Sequence, residues 1–289
     1  MRPQFAYHRP ATVGEACRIL AVEPRAAILA GGTDLMVHLQ QAWRGKRPPA
    51  VVNIKRIPGL AGIEVTEAAV RLGALASLTA LLEHPVLAAE YPVLPSTARY
   101  MGSPAIRNMA TVGGNLCNAS PAADLPPVLL AFDAEVGIAG PGGERRLPLE
   151  QFFRGPSQTA LGPGELLVWV EFARRRPAWP ITYERLDVRR AMDIAIAGAA
   201  LSVRRDGARV REARVALCAV APIPLRVREA EAALGAAGLT DGAIARAAEL
   251  AMAAARPISD VRATAEYRRE MVGTLVRRGL ERLRAAGVS

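Results

Sequence analysis

Apolar and polar positions alternate in different periods along this chain, and each period predicts a different element. Near the start, Ala16, Ile19 and Leu20 follow the pair Thr12-x-x-Glu15, the spacing of a capping box that opens a short amphipathic helix. Ala26 to Ala30 is a short apolar run expected as a buried strand, Asp34 to Trp43 has helical character, and Val51 to Ile54 reads as a second strand. Ile63-Glu64-Val65 and Val70-Arg71-Leu72 read as paired strands around a polar turn. Helical stretches are expected at Ser77 to Leu82 and Leu87 to Arg99, broken by Pro85, Pro92 and Pro95, and again from about Pro126 to Phe132. Strand patterns return at Glu135 to Ile138 and Leu166 to Phe172.

The pattern shifts at Arg174-Arg175-Arg176-Pro177, which places a domain boundary there. Beyond it, Ala195 to Val203 and Val210 to Val220 flank Asp206-Gly207, a hairpin signal. Alanine-rich helices are expected at about Pro224 to Ala237 and Ala243 to Ala255, and a longer helix at Thr264 to Ala285. Strand–helix mixtures followed by a hairpin sheet and then helices make the fold class α+β.

Two glycine-bearing segments interrupt the apolar runs: Leu29-Ala30-Gly31-Gly32-Thr33-Asp34-Leu35 and Ala110-Thr111-Val112-Gly113-Gly114-Asn115. Each has an apolar approach, a Gly-Gly pair and then a polar side chain. Glycine lets a backbone turn sharply and lets a ligand or another backbone come close. Amide N–H groups exposed in such a turn form an anion site. One such turn alone is weak evidence of a ligand. Each also fits a plain bend. Asp124 fits a helix N-cap, and Arg185, Arg189 and Arg190 fit solvated charges on a strand or loop.

Composition narrows the classes. The 289 residues are 51% hydrophobic, enough for one large domain or two to three ordinary ones. Net charge is +10, almost all from arginine, since Lys46 and Lys55 are the only lysines. The arginines are scattered and aromatics make up 4%, so stacking platforms for nucleic acid are few and that function is disfavoured. A basic face for an acidic partner subunit suits the charge better. No apolar stretch approaches the length of a membrane span, and the N-terminus has no apolar signal core, so a cytoplasmic location is expected. Cys17, Cys117 and Cys218 are too dispersed for a cluster or zinc site, as are His8, His38 and His84 for a triad or ligand set. The thiols are expected free and mostly buried, and no metal is expected on this chain. G-x-G-x-x-G, the P-loop, G-x-S-x-G and H-E-x-x-H motifs are all missing, which disfavours Rossmann, P-loop, hydrolase and zinc-protease chemistry.

Three stretches carry a family resemblance: Leu29 to Leu35, Met101 to Asn115, and Ala119-Ser120-Pro121-Ala122-Ala123-Asp124-Leu125. They resemble the FAD-binding medium subunit of molybdenum hydroxylases, the family of carbon monoxide dehydrogenase, xanthine dehydrogenase and related aldehyde-type enzymes. Tyr183-x-Arg185 with Arg189-Arg190-x-x-Asp193-Ile194-Ala195 is similar to a later signature of that family, and the likeness runs over essentially the whole chain.

The resemblance implies a two-subdomain FAD-binding fold of the PCMH type over residues 1–175, with subdomains of about 1–57 and 58–175. A C-terminal α+β domain would cover 176–289. It implies non-covalent FAD, with Leu29, Ala30, Gly31, Gly32, Thr33, Asp34 and Leu35 wrapping the diphosphate from one side. Ala110, Thr111, Val112, Gly113, Gly114 and Asn115 would grip it from the other. Asp124 would accept from ribose or adenine-side groups, Met101 and Val168 would pack near the flavin or adenine, and Arg185 would stand by the carbonyl edge of the flavin ring. Many relatives carry lysine at that last position, so the planar guanidinium is a departure. Partners implied are a large molybdopterin subunit and a small iron–sulfur subunit, with the molybdenum cofactor and 2Fe-2S clusters on those chains. The expected role is electron transfer from the clusters to an external acceptor. The alternative is a self-sufficient flavin-dependent dehydrogenase or oxidase.

Overall fold

Thr12 fixes where the first helix begins. In a computed structural model describing residues 5–41, 47–175, 178–189, 192–207 and 209–286, β1 (Ala6–His8) leads into α1 (Val13–Val22). Thr12 Oγ1 accepts from the Glu15 amide at 3.1 Å, and the Glu15 carboxylate takes the Ala11 amide at 2.8 Å. The capping box therefore forms, with its return arm one residue upstream of the N-cap. β2 (Ala27–Leu29), α2 (Leu35–Gln41) and β3 (Ala50–Asn53) follow. The expected extension of α2 to Trp43 lies outside the described residues. The three strands form a parallel sheet in the order β1-β3-β2, and α1 buries Ala16, Cys17 and Leu20 in a cluster with Val52 and Ile54.

The next layer begins with the antiparallel pair β4 (Ile63–Val65) and β5 (Ala69–Gly73). Five short helices come next: α3 (Leu78–Glu83), α4 (Pro85–Glu90), α5 (Val93–Tyr100), α6 (Pro104–Met109) and α7 (Val112–Asn118). Pro85 and Pro104 stand in first turns, where the missing N–H costs nothing, and His84 and Ser103 cap the same two helices. α8 (Leu125–Ala131) has every residue buried. β6 (Glu135–Gly140), β7 (Gly143–Pro148), the small hairpin β8 (Phe153–Gly155) with β9 (Gln158–Thr159), and β10 (Leu166–Ala173) complete the region. The resulting antiparallel sheet runs β4-β5-β10-β6-β7. α6, α7 and the β7–β9 strands were not expected from the sequence, being too short or too polar to show a period.

The last layer is the antiparallel sheet β11 (Ile181–Leu186), β12 (Ala197–Asp206), β13 (Arg209–Cys218) and β14 (Leu225–Arg226), in that order. Gly207 takes φ +57° at the β12–β13 turn, as the Asp-Gly signal requires. Three helices pack on this sheet: α9 (Arg228–Ala237), α10 (Asp241–Ala254) and α11 (Ala265–Ala286). The expected start of α9 at Pro224 is corrected, because Leu225 and Arg226 pair with β13 instead.

α8 joins the second and third layers. Leu129 shares one apolar cluster with Ala200 and Ala216. Arg226, only 6% exposed, donates to the Leu130 carbonyl at 3.1 Å, to Asp133 at 2.8 Å and to Glu231 at 2.6 Å. Burial works to raise the Asp133 carboxyl, but hydrogen bonds from Arg214 and Arg226 outweigh it and hold the group below its ordinary value. A buried arginine with every acceptor supplied thus ties the C-terminal sheet to the middle of the chain.

Candidate functional site

β2 ends at Leu29 and delivers the backbone into Gly31, Gly32, Thr33 and Asp34 before α2 begins. Gly32 has φ +84°, a conformation glycine adopts without strain. Gly31 answers a different need. A Cβ there would lie 2.0 Å from the Met109 carbonyl oxygen, so the segment passes against the backbone at the end of α6. Among the described residues, the amides of Gly31, Gly32, Thr33 and Asp34 donate to no protein acceptor.

The second glycine segment differs from the expected turn. Gly113 and Gly114 lie inside α7, and Thr111 is its N-cap, with Oγ1 accepting from the Gly114 amide at 3.0 Å. The amides of Val112, Gly113 and Asn115 donate to Ala76, Ala74 and Thr111 carbonyls at 2.9, 2.8 and 3.0 Å. A Cβ on Gly113 would stand 2.7 Å from both Cβ and the carbonyl oxygen of Ala74. These glycines let a helix lie on the β5 exit. Their amides are engaged within the protein.

One cavity of about 390 Å³ opens between the two segments. Ala30, Gly31, Gly32, Thr33, Asp34 and Leu35 line one side, and Ala110, Thr111, Gly113, Gly114 and Asn115 the other, with Met101 also at the wall. Asn115 Oδ1 is buried and has no hydrogen-bond partner among the described residues. The size is that of a small-molecule site.

Leu29, Val112, Asp124, Val168 and Arg185 do not belong to that lining. Leu29 lies under Gly32, whose Cβ would come within 2.9 Å of its Cδ1, and the Val168 carbonyl accepts from the Ala74 amide at 2.9 Å. Asp124 and Arg185 instead meet each other. Asp124 Oδ1 accepts from Tyr183 Oη at 2.6 Å and from Arg185 Nε at 2.9 Å. Asp124 stands at the N-cap position of α8, yet its side chain makes no capping bond. Arg185 also donates to Asp187 and to the Asp193 carbonyl, and its guanidinium lies 5.3 Å from the Tyr100 ring centre. Its side chain is 2% exposed, which corrects its reading as a solvated charge. Arg189 is exposed as expected, and Arg190 lies outside the described residues. Burial pushes the Asp124 carboxyl up while Arg185 restrains it, and burial also pushes up the Tyr183 phenol. The Cys218 thiol, 3.4 Å from Tyr183 Oη, is pushed up to about 12 by burial. This cluster joins β11 to the start of α8.

The rest of the wall escaped sequence reasoning. Ala26 and Ile28 share a strand face with Ala30 at two-residue spacing, a signal that was present. Ile54, Thr159, Leu161, Leu166 and Leu167 arrive from distant segments and carried none. His38, Cys117 and Asn118 also line the cavity. Cys17, Cys117 and Cys218 are free thiols, and burial holds Cys117 up at about 12. Among the described residues, no three His, Cys, Asp or Glu side chains converge as a metal site, and no helix is long and apolar enough to cross a membrane.

Comparison with known families shows where the chain belongs. Residues 3–173 match the FAD binding domain in molybdopterin dehydrogenase, and residues 182–283 match the CO dehydrogenase flavoprotein C-terminal domain. The chain belongs to the family of FAD-binding medium chains of carbon monoxide and xanthine dehydrogenases.

It is 34% identical over 279 residues to the carbon monoxide dehydrogenase medium chain of Hydrogenophaga pseudoflava, covering 96% of each chain. Identity is 33% over 289 residues to the xanthine dehydrogenase FAD-binding subunit of Escherichia coli O157:H7, covering 98% of this chain and 97% of that one. Among solved structures, reconstituted CO dehydrogenase from Oligotropha carboxidovorans superposes with a TM-score of 0.93 at 33% identity, over 99% of both chains. Quinoline 2-oxidoreductase from Pseudomonas putida 86 gives 0.90 at 29% identity over 99% of both. The chain is thus an FAD-binding oxidoreductase subunit with the family's α+β fold. The residues present suit that cofactor: unengaged amides for a diphosphate, a buried orphan acceptor at Asn115, and apolar walls for flat rings.

Proposed function

We propose that this chain is the electron-transfer flavoprotein subunit of a molybdenum hydroxylase. It takes electrons from iron–sulfur clusters on a small partner chain and passes them to an external acceptor. Substrate oxidation belongs to a large molybdopterin chain, and the working form is a hetero-oligomer of the three. The reading is supported by the full-length likeness to proteins named as medium chains and FAD-binding subunits. The single observation that carries it is the cavity held between Gly31–Leu35 and Thr111–Asn115.

In this reading FAD supplies the redox chemistry, and the chain positions it and sets its electrical surroundings. Gly31 to Asp34 present their amides to the diphosphate, each hydrogen bond to a charged group contributing about 1.5–3 kcal/mol. Thr111 and α7 form the opposite wall, and Asn115 Oδ1 accepts from the cofactor. Met101, Ala26 and the strand residues Ile28 and Leu166 exclude water from its apolar parts. Leu29 and Val168 support that wall from behind, while Asp124 and Arg185 act as one unit that fixes β11 beside it. The flavin-carrying part spans 1–175, with subdomains near 1–57 and 58–175, and 176–289 forms the C-terminal part; the three larger of the described sheets support that division.

The test is the visible spectrum of the purified chain before and after acid denaturation, followed by capture of its partners. Flavin bands released intact by acid, and co-purification with a molybdopterin chain and an iron–sulfur chain, are expected. A colourless chain that also fails to take up added FAD overturns the reading.

A further inference from the structure

The cavity holds a contradiction of charge. The chain carries 37 lysine and arginine residues and a net charge of +10. Yet among the described residues lining the cavity there is no lysine and no arginine. The titratable groups there are Asp34, His38 and Cys117. Asp34 adds negative charge next to the unengaged amides, and the Cys117 thiol, held up at about 12, stays neutral. His38 is therefore the one described lining side chain able to carry positive charge.

Its placement suits an anion at the glycine turn. His38 lies on α2 one helical turn beyond Asp34, and its amide donates to the Asp34 carbonyl at 3.0 Å. Helix positions three and four apart share a face, and Asp34 and Leu35, at those spacings, line the same cavity. Side chains on a helix lean toward its N-terminus, which here is the turn whose amides have no acceptor among the described residues. The imidazole itself has no hydrogen-bond partner among the described residues and is exposed at the cavity wall.

We propose that His38 is the cationic partner of the FAD diphosphate, so that protonation of this one imidazole tightens cofactor binding. The proposal rests on the reading of the cavity as the FAD site. A diphosphate diester keeps its two negative charges across the neutral range, whereas a histidine changes charge between about pH 5 and 8. The charge pair therefore exists at the acidic end and is lost as pH rises. Because the site is open to solvent, the effect is modest, about three- to fivefold in affinity.

The experiment is titration of the full chain, freed of flavin, with FAD at about pH 6 and about pH 8, read by quenching of flavin fluorescence. Wild type, His38→Gln and His38→Arg are compared. Wild type is expected to bind about three- to fivefold tighter at the lower pH. His38→Gln should bind at the weaker level at both pH values, and His38→Arg at the tighter level at both. A wild-type affinity independent of pH, or a His38→Gln variant that keeps the wild-type ratio, overturns the role of His38 while leaving the FAD site standing. No FAD binding by wild type at either pH overturns the role of His38 and the FAD site together.

Discussion

The two glycine segments look alike as sequence and behave differently as structure. Gly31-Gly32 is an open turn whose amides find no acceptor among the described residues. Gly113-Gly114 sits inside a capped helix whose amides are engaged with Ala74, Ala76 and Thr111. Both pairs allow close backbone approach, but only the first leaves donors over. The clamp is therefore asymmetric: one side donates, the other is a wall. A Gly-Gly pair reports crowding, and the hydrogen-bond accounting around it reports function.

The largest expected effect comes from Gly31→Val. The new Cβ would start 2.0 Å from the Met109 carbonyl oxygen, so the turn must swing away from α6 and the cavity must open. Equilibrium dialysis should find FAD affinity down by about 100-fold, with the circular dichroism of the folded chain retained. Undiminished binding would break the asymmetric clamp.

Next is Gly113→Ala, where the Cβ would stand 2.7 Å from both the Cβ and the carbonyl oxygen of Ala74. Overpacking at this buried junction costs about 1–3 kcal/mol of stability. Urea unfolding should show that loss, while the fraction still folded retains FAD. Flavin loss without destabilisation would mean that the second segment donates as well.

Thr111→Ala is milder. It removes the cap on the Gly114 amide and should cost about 1 kcal/mol in the same unfolding experiment.

The smallest change in FAD affinity is expected at a control residue outside the cavity lining. Asp260 is held down at about 2, from an ordinary 3.8, first by the Arg262 amide and then by Arg268. A carboxylate with a depressed folded value contributes stability above its unfolded value, and that contribution is lost as pH falls through the folded one. Acid unfolding of Asp260→Asn should accordingly converge on wild type between about pH 4 and 2, with FAD affinity at neutral pH unchanged. A change in FAD affinity would deny that the site is local.

Much of this was legible in the sequence, for physical reasons. The long periodic elements, β12, β13, α10 and α11, bury one face each and show it in their spacing. The first glycine turn was readable because an apolar strand leads into it. The second was misread as a turn, although Thr111 three positions before Gly114 is an N-cap spacing that announces a helix. Arg185 was hidden more deeply. Its burial depends on Asp124, which lies 61 positions away, and on the Asp193 carbonyl, and no local pattern encodes that meeting. His38 was set aside for want of a second histidine or a nearby nucleophile. What singles it out is the scarcity of cations around the cavity, which only the folded chain displays.

Amide hydrogen exchange with and without FAD tests the asymmetric clamp most directly. Added FAD is predicted to slow exchange at Gly31 to Asp34 strongly and to change Val112 to Asn115 little, since those amides already have acceptors. Protection gained mainly at Val112 to Asn115, or in neither segment, would contradict it.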